Sequence, residues 1–446
     1  MQASRFNIVS RATGSGQHFV VNLLSRCADT LTAGEADVLS ATPLPDAAAL
    51  ARSGLALAEL AERGYVVEPD DEERRYRQAY LDFVEGRETD EVQLFYAPTY
   101  ACNFACDYCY QEGYAAQAGH APDEVLAAFL GYVDQAFAGR RKYVTLFGGE
   151  PLLPSASSER VLATMAEATA ARGLDLAIVT NGYRLAEAVP MLRRGKIREV
   201  QVTLDGTEAV HDRRRPLRGG GGTFGAIVRG IDACLAADLP VNLRVVVDRD
   251  NIEDLPALAL YAVSRSWTSH PRFVTQLGRN YELHSCQRAP ARLFDRLELA
   301  QAVVALAQRH PALLDFHRPA LSVARVLFDQ GELPEPLFDA CPGCKTEWAF
   351  DYTGRIYPCT ATVGKHGEEV GRFHPTVELD QERISRWQER DVLAIDACRG
   401  CALQLACGGG CGAVAKNRTG DLHAPDCRPV RELLELGFGL YGPKEE

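Results

Sequence analysis

Between residues 91 and 311, short apolar, β-branched runs alternate with longer stretches of helical period. The runs are VQLFYAP (92–98), YVTLF (143–147), DLAIVT (175–180), EVQVTL (199–204), VNLRVVV (241–247) and RFVTQL (272–277). Between them, PDEVLAAFLGYVDQAF and FGAIVRGIDACLAADL carry the apolar spacing of helices. Strands separated by covering helices make a parallel sheet, so the pattern predicts an α/β fold, either an open sheet or part of a barrel. In both forms ligands gather at the carboxyl ends of the strands.

Other patterns flank this stretch. Residues 1–90 open with two strand-like runs, RFNIVSR and HFVVNLL, followed by helical text in AGEADVLSA and DAAALARSGLALAELAERGYVVE. The charged stretch EPDDEERRYRQAYLDFVEGRETDE predicts a linking helix. Residues 312–340 read as a connecting helical region. From residue 341 to the end the helical period fades, glycines multiply, and eight of the fourteen cysteines gather.

Composition narrows the partners. With 446 residues, 46% of them apolar, the chain can bury a large core spread over two or three domains. A formal charge of -12 argues against nucleic acid or an acidic membrane as the main partner. The first residues lack a basic start followed by an apolar core, and no apolar run approaches the roughly 18 residues of a spanning helix. The expected location is therefore the cytoplasm, with no membrane involvement. In that reducing compartment clustered thiols point to metal or redox chemistry more than to disulfides.

The first cluster lies in APTYACNFACDYCYQEGY, just after the first strand, and holds Cys102, Cys106 and Cys109. These positions share one helical face, so a stripe of buried cysteines is one reading. Catalytic zinc with an open position is another, although no histidine lies in this loop. The third is a four-iron cubane with three irons held by thiolates and one left free. The CxxxCxxC spacing, with Tyr108 before its last cysteine, resembles the radical SAM superfamily. That resemblance implies a partial (β/α)6 TIM-like barrel over 91–311, a [4Fe-4S] cluster on Cys102, Cys106 and Cys109, and S-adenosyl-L-methionine (SAM) on the open iron.

Further stretches fit the resemblance. FGGEP (147–151) ends the second strand, and in the family it engages the SAM amino group. Gly148 and Gly149 would let backbone approach the ligand, and Glu150 would accept from an ammonium. VTNG and LDG end the third and fourth strands, making Thr180, Asn181 and Asp205 candidates for the SAM ribose or carboxylate. Each motif also reads as an ordinary turn. HDRRRPLRGGGGTFG (211–225) reads as a solvated, mobile loop, or more sharply as a lid over substrate.

The later cysteines resemble the SPASM extension, which holds two auxiliary four-iron clusters. Two fully ligated cubanes need eight thiolates. By resemblance the first would use Cys341, Cys344, Cys359 and Cys411, and the second Cys398, Cys401, Cys407 and Cys427. If Cys341 does not ligate, the first auxiliary cluster has an open iron. A zinc ribbon on Cys341/Cys344 and Cys398/Cys401 is the alternative, but it leaves four thiols unused. Cys27 and Cys234 read as core residues, and Cys286 follows the sixth strand without an assigned role.

The chemistry implied is reductive cleavage of SAM and hydrogen-atom abstraction by the 5'-deoxyadenosyl radical, with an electron donor such as flavodoxin or ferredoxin. Auxiliary clusters suit a net oxidation. Sulfatase-maturating members carry an aspartate directly after YPC, where this chain has Thr360, so that activity is disfavoured. Residues 1–90 loosely resemble winged-helix modules that bind leader peptides, where backbone pairing at a sheet edge gives affinity. The expected function is a peptide maturase that forms a thioether or carbon-carbon link in a ribosomally made precursor peptide. A sulfatase maturase or a non-catalytic iron-sulfur carrier is the alternative. No residue is assigned as the proton-accepting base.

Overall fold

The computed structural model describes residues 1–109, 111, 119–280 and 290–443. At the amino end β1 (Gln2–Ala3) pairs with β5 (Val66–Val67). There β2 (Asn7–Arg11), β3 (His18–Asn22) and β4 (Cys27–Leu31) form an antiparallel sheet in that order. The sequence reading gives two of these strands. CADTL has too little apolar alternation to reveal β4, which forms by completing the pairing of β3. Short helices at Ala33–Leu39, Ala47–Arg52 and Leu57–Glu62 accompany this sheet, and Val20, Leu39, Leu50, Leu60 and Tyr65 are buried together. The charged stretch forms the helix Pro69–Thr89, with Pro69 in its first turn, where no N–H donor is required.

Six parallel strands follow in sequence order: β6 (Val92–Ala97), β7 (Lys142–Leu146), β8 (Asp175–Thr180), β9 (Ile197–Thr203), β10 (Val241–Val247) and β11 (Phe273–Arg279). Each pairs with the next, which makes the partial (β/α)6 barrel. Alternate residues face outward, where Leu94, Val144, Ile178, Val202 and Leu243 bury against the covering helices in the main core. Each such side chain contributes about 1.5–3 kcal/mol. The inner face is polar. Gln93 donates to Thr145 at 3.0 Å, Gln201 to Gln276 at 3.1 Å, and Asn242 to Glu199 at 3.1 Å.

The cysteine-rich segment does not stand apart from the barrel. Its first strand, β12 (Glu347–Asp351), pairs parallel with β6, and β13 (Arg355–Tyr357), β14 (Gly371–Arg372) and β15 (Glu378–Leu379) continue antiparallel to give ten strands in one sheet. The amino-terminal module is fused to the same segment. Phe19 stacks on Phe438 with centroids 4.0 Å apart. Phe338, fully buried, meets Tyr76, Tyr80 and Phe83 of the linking helix at 5.2, 5.3 and 5.6 Å. Tyr76 donates to Gln404 at 2.7 Å and Tyr80 to Asp391 at 2.8 Å. Among the described residues, no helix is long and apolar enough to cross a membrane.

Candidate functional site

The first cysteine loop leaves β6 at its carboxyl end and is held from three sides. Thr99 and Ala101 accept from Gly149 N at 3.0 Å and Glu150 N at 2.8 Å. A Cβ on Gly148, which has a φ of +116°, would stand 2.7 Å from the Thr99 carbonyl oxygen, and one on Gly149 would stand 2.1 Å from that of Ala101. The sequence reading has these glycines admit a ligand; the structure puts the backbone of the cysteine loop there.

Glu150 is buried, and its carboxylate accepts from Leu152 N (2.8 Å), Thr180 Oγ1 (2.6 Å) and Asn181 N (2.6 Å). Burial pushes its pKa up, while these hydrogen bonds oppose the rise. Asn181 in turn donates to Asn103 at 2.7 Å, so Glu150, Thr180 and Asn181 form one knot tied to the cysteine loop.

Asp205, fully buried after β9, accepts from Val246 N (3.0 Å) and Arg214 (3.3 Å). Arg214 also grips Asp248 with two hydrogen bonds, at 2.8 and 3.0 Å. Arg215, also buried, donates to the Tyr108 hydroxyl at 2.6 Å. The segment read as a mobile loop or lid is therefore corrected in its first half. His211, Arg214 and Arg215 are buried, and Pro216 and Arg218 brace the cysteine loop through Ala105 N→Pro216 O and Arg218 N→Asn103 O, both 2.9 Å. Arg213, Gly225 and the run from Arg218 to Gly222 stay exposed. Arg214 is neutralised by Asp205 and Asp248, which arrive from other strands and loops, and a linear reading of RRR cannot reveal this.

Cys102, Cys106 and Cys109 line an open recess with Tyr100, Phe104 and Gly149. Burial pushes the Cys102 thiol up to about 11 and Cys106 up to about 12. The charge of Cys109 raises both, while that of Arg215 opposes the rise. Bare thiolates are disfavoured in such a place, and iron would supply the missing positive charge. Phe104 N also points at the Cys102 sulfur, 3.4 Å away. The donor set and the recess fit a [4Fe-4S] cluster.

The remaining eight thiols fall into two groups. Burial raises Cys341, Cys344 and Cys359; Cys411 adds to the rise at Cys341, Cys341 to that at Cys344, and both to that at Cys359. In the second group burial lifts Cys398 to about 11, with Cys407, Cys427 and Cys401 adding to the rise. Cys427 is raised in the same way. These are the quartets 341/344/359/411 and 398/401/407/427. Among the described residues no three His, Cys, Asp or Glu side chains close to single-ion spacing. A cluster binds each thiolate to a different iron and holds its ligands further apart.

Sequence reasoning missed two cations here. Arg390, fully buried, donates to the carbonyls of Leu422 (2.7 Å), Gly409 (2.8 Å) and Gly410 (2.9 Å), joining the loops that carry Cys407, Cys411 and Cys427. Lys345 donates to Cys341 O (3.1 Å), Arg390 O (2.9 Å) and Asp339 (2.5 Å). Nothing in WQERDV or CKTE signals either role. Thr360 donates to the half-buried carboxylate of Glu347 through both N (2.7 Å) and Oγ1 (2.8 Å), so a carboxylate stands beside the position after YPC. Cys234 is buried in the core, Cys27 is half-buried on β4, and Cys286 lies outside the described residues.

Comparison with known proteins places these features. Residues 96–262 match the model of the Radical SAM superfamily, and this part of the chain is a radical SAM domain. The match implies SAM and a [4Fe-4S] cluster. A serine-type anaerobic sulfatase-maturating enzyme of Klebsiella pneumoniae is 31% identical over 168 residues, 37% of this chain and 42% of that protein. The chain thus spans less than half the length of this relative. A solved structure of anSMEcpe with bound AdoMet and Cp18Cys peptide is similar in fold, with a TM-score of 0.60 and 17% identity over 78% of this chain and 96% of that one. Streptococcus suis SuiB bound to precursor peptide SuiA has a TM-score of 0.52 and 13% identity over 96% of this chain and 98% of that one. At these identities the solved structures establish the fold alone.

Proposed function

We propose that the protein is a radical SAM peptide maturase that removes a hydrogen atom from a ribosomally made precursor peptide and closes a thioether or carbon-carbon link oxidatively. The observation that carries this reading is the combination of one thiol trio at the carboxyl end of β6 with two thiol quartets, set beside an amino-terminal antiparallel sheet. The peptides in the anSMEcpe and SuiB structures support a peptide substrate. When bound, the first cluster and SAM would supply a 5'-deoxyadenosyl radical.

The chain's own residues would do the rest. Cys102, Cys106 and Cys109 would hold the first cluster, and the two quartets the auxiliary ones, giving three [4Fe-4S] clusters. Glu150, Thr180 and Asn181 would border SAM, with Gly148 and Gly149 seating the cysteine loop beside it, Asp205 held behind it by Arg214, and one Glu150 oxygen carrying a single protein hydrogen bond and so open to an ammonium. A flavodoxin or ferredoxin would deliver the reducing electron. A leader peptide would add a strand at β4. The outer edge of β2 is engaged by the carboxyl-terminal helix Val430–Tyr441, through Arg431 to Val9 O and Thr13 N to Glu435 O.

A second reading, maturation of a sulfatase, is favoured by the Glu347 carboxylate that Thr360 holds. Anaerobic co-expression with the peptide encoded beside the gene, followed by mass spectrometry, separates the two. A loss of two hydrogens, with an internal link in fragment spectra and no reaction with a hydrazide, is expected. A hydrazide-reactive aldehyde would select the second reading, and an unmodified peptide would refute the first.

A further inference from the structure

The inner face of the barrel holds a cation with no counter-charge among the described residues. In β10 the buried residues Val241, Leu243, Val245 and Val247 pack outward into the main core, so Asn242, Arg244 and Val246 point inward. Arg244 pairs in register with Thr203 of β9 and Gln276 of β11, two residues before Val246, whose N–H binds Asp205. It therefore sits directly beneath the site described above.

Three other arginines around this barrel have acidic partners, and buried Arg215 has the Tyr108 hydroxyl. Arg214 has Asp205 and Asp248, Arg292 has Asp107, and Arg198 has Glu91. Arg244 has no acid within ion-pair reach and no side-chain hydrogen bond among the described residues. The inner-face carboxylate of Glu199 is already taken by Asn242. The guanidinium also has a berth. It lies against Gly278 of β11, where a Cβ would stand 3.0 Å from Nη2, 3.2 Å from Cζ and 3.3 Å from Nε. Glycine at that position makes room for a planar group laid along the strand. A half-buried guanidinium without a partner is costly to keep, and a carboxylate is the group its planar fork matches.

We propose that Arg244 binds a carboxylate of the peptide substrate, an aspartate or glutamate side chain near the position that is modified. The inference rests on the peptide-maturase reading and adds an acidic residue to the substrate it requires. The same charge and geometry would also suit the methionyl carboxylate of SAM, and the test separates the two sources.

The probes are two synthetic pools of acetylated, amidated octapeptides, randomised identically except that one carries Asp or Glu at a central position and the other Asn or Gln. Retention of each pool by the reconstituted holoenzyme with SAM is read by mass spectrometry, and SAM affinity is measured alongside. The wild type is expected to favour the acidic pool by about tenfold, the weight of one charge-assisted pair. Arg244→Gln is expected to erase the preference and Arg244→Lys to keep part of it, both with SAM affinity intact. Gly278→Ala, which retains the arginine but fills its berth, should reduce the preference and serves if Arg244→Gln does not fold. An unchanged preference in Arg244→Gln overturns the inference, as does a loss of SAM affinity with the preference preserved. Equal retention of both pools by the wild type overturns the inference alone, whereas retention of neither overturns the peptide reading as well.

Discussion

Replacing Phe338 by alanine should loosen the amino-terminal module from the rest of the chain. Phe338 is fully buried and makes three ring contacts with the helix Pro69–Thr89, to Tyr76, Tyr80 and Phe83. Truncating a buried phenylalanine costs about 3–5 kcal/mol, because the apolar contact is lost and a cavity remains. Each 1.4 kcal/mol is tenfold in an equilibrium constant. If these rings hold the helix down, its opening equilibrium should rise by roughly 100-fold to 4,000-fold. Amide hydrogen exchange on the anaerobic holoenzyme reads this directly in peptides covering residues 72–84. Phe338→Leu, which keeps most of the volume, should raise exchange by about tenfold or less. Exchange in Phe338→Ala within threefold of the wild type would refute the idea that the linking helix is held by this contact. It would leave the hydrogen bonds of Tyr76 and Tyr80 as the attachment.

Two other outcomes follow from the site. Gly149→Ala places a Cβ 2.1 Å from the Ala101 carbonyl oxygen, a backbone atom that cannot step aside cheaply, so the first cysteine loop must shift. If the chain holds the three clusters proposed, iron quantification should then show one cluster's worth of iron lost and the rest kept; wild-type iron content would refute the packing argument. His211 accepts from Asp205 N, and burial lowers its pKa from 6.5 to about 3. The folded state refuses a proton that the unfolded chain takes up, so this stability is fully present above about pH 6.5 and is lost as pH falls from there toward 3. The slope is about 1.4 kcal/mol per pH unit. Between pH 7.5 and 5.5 the wild type should lose about 1.4 kcal/mol more than His211→Asn, measured by denaturant titration. Parallel losses would show that the imidazole protonates in the folded state.

The barrel strands were legible because β10 and its neighbours bury one side chain in two against helices, and that period survives in a linear reading. The cysteine loop was legible because its ligands come from one short segment. Both limits are visible in the same molecule. β12 is only EWAFD, and its partner β6 lies some 250 residues earlier, so no local pattern announces the pairing. Arg214 and Arg215 looked like a solvated charge run because the groups that make their burial tolerable, Asp205, Asp248 and Tyr108, arrive from other strands and loops. Arg390 escaped notice for the same reason, since all its acceptors are backbone carbonyls of distant turns.

The pairing of β12 with β6 bears on how the chain can be divided. Five residues of β6, from Gln93 to Ala97, find their second neighbour in β12. A fragment ending before residue 347 would leave that side of the strand with bare N–H and C=O groups and apolar flanks, a ready template for other chains. Excising the carboxyl-terminal third would therefore yield a sticky, self-associating barrel rather than a smaller working unit.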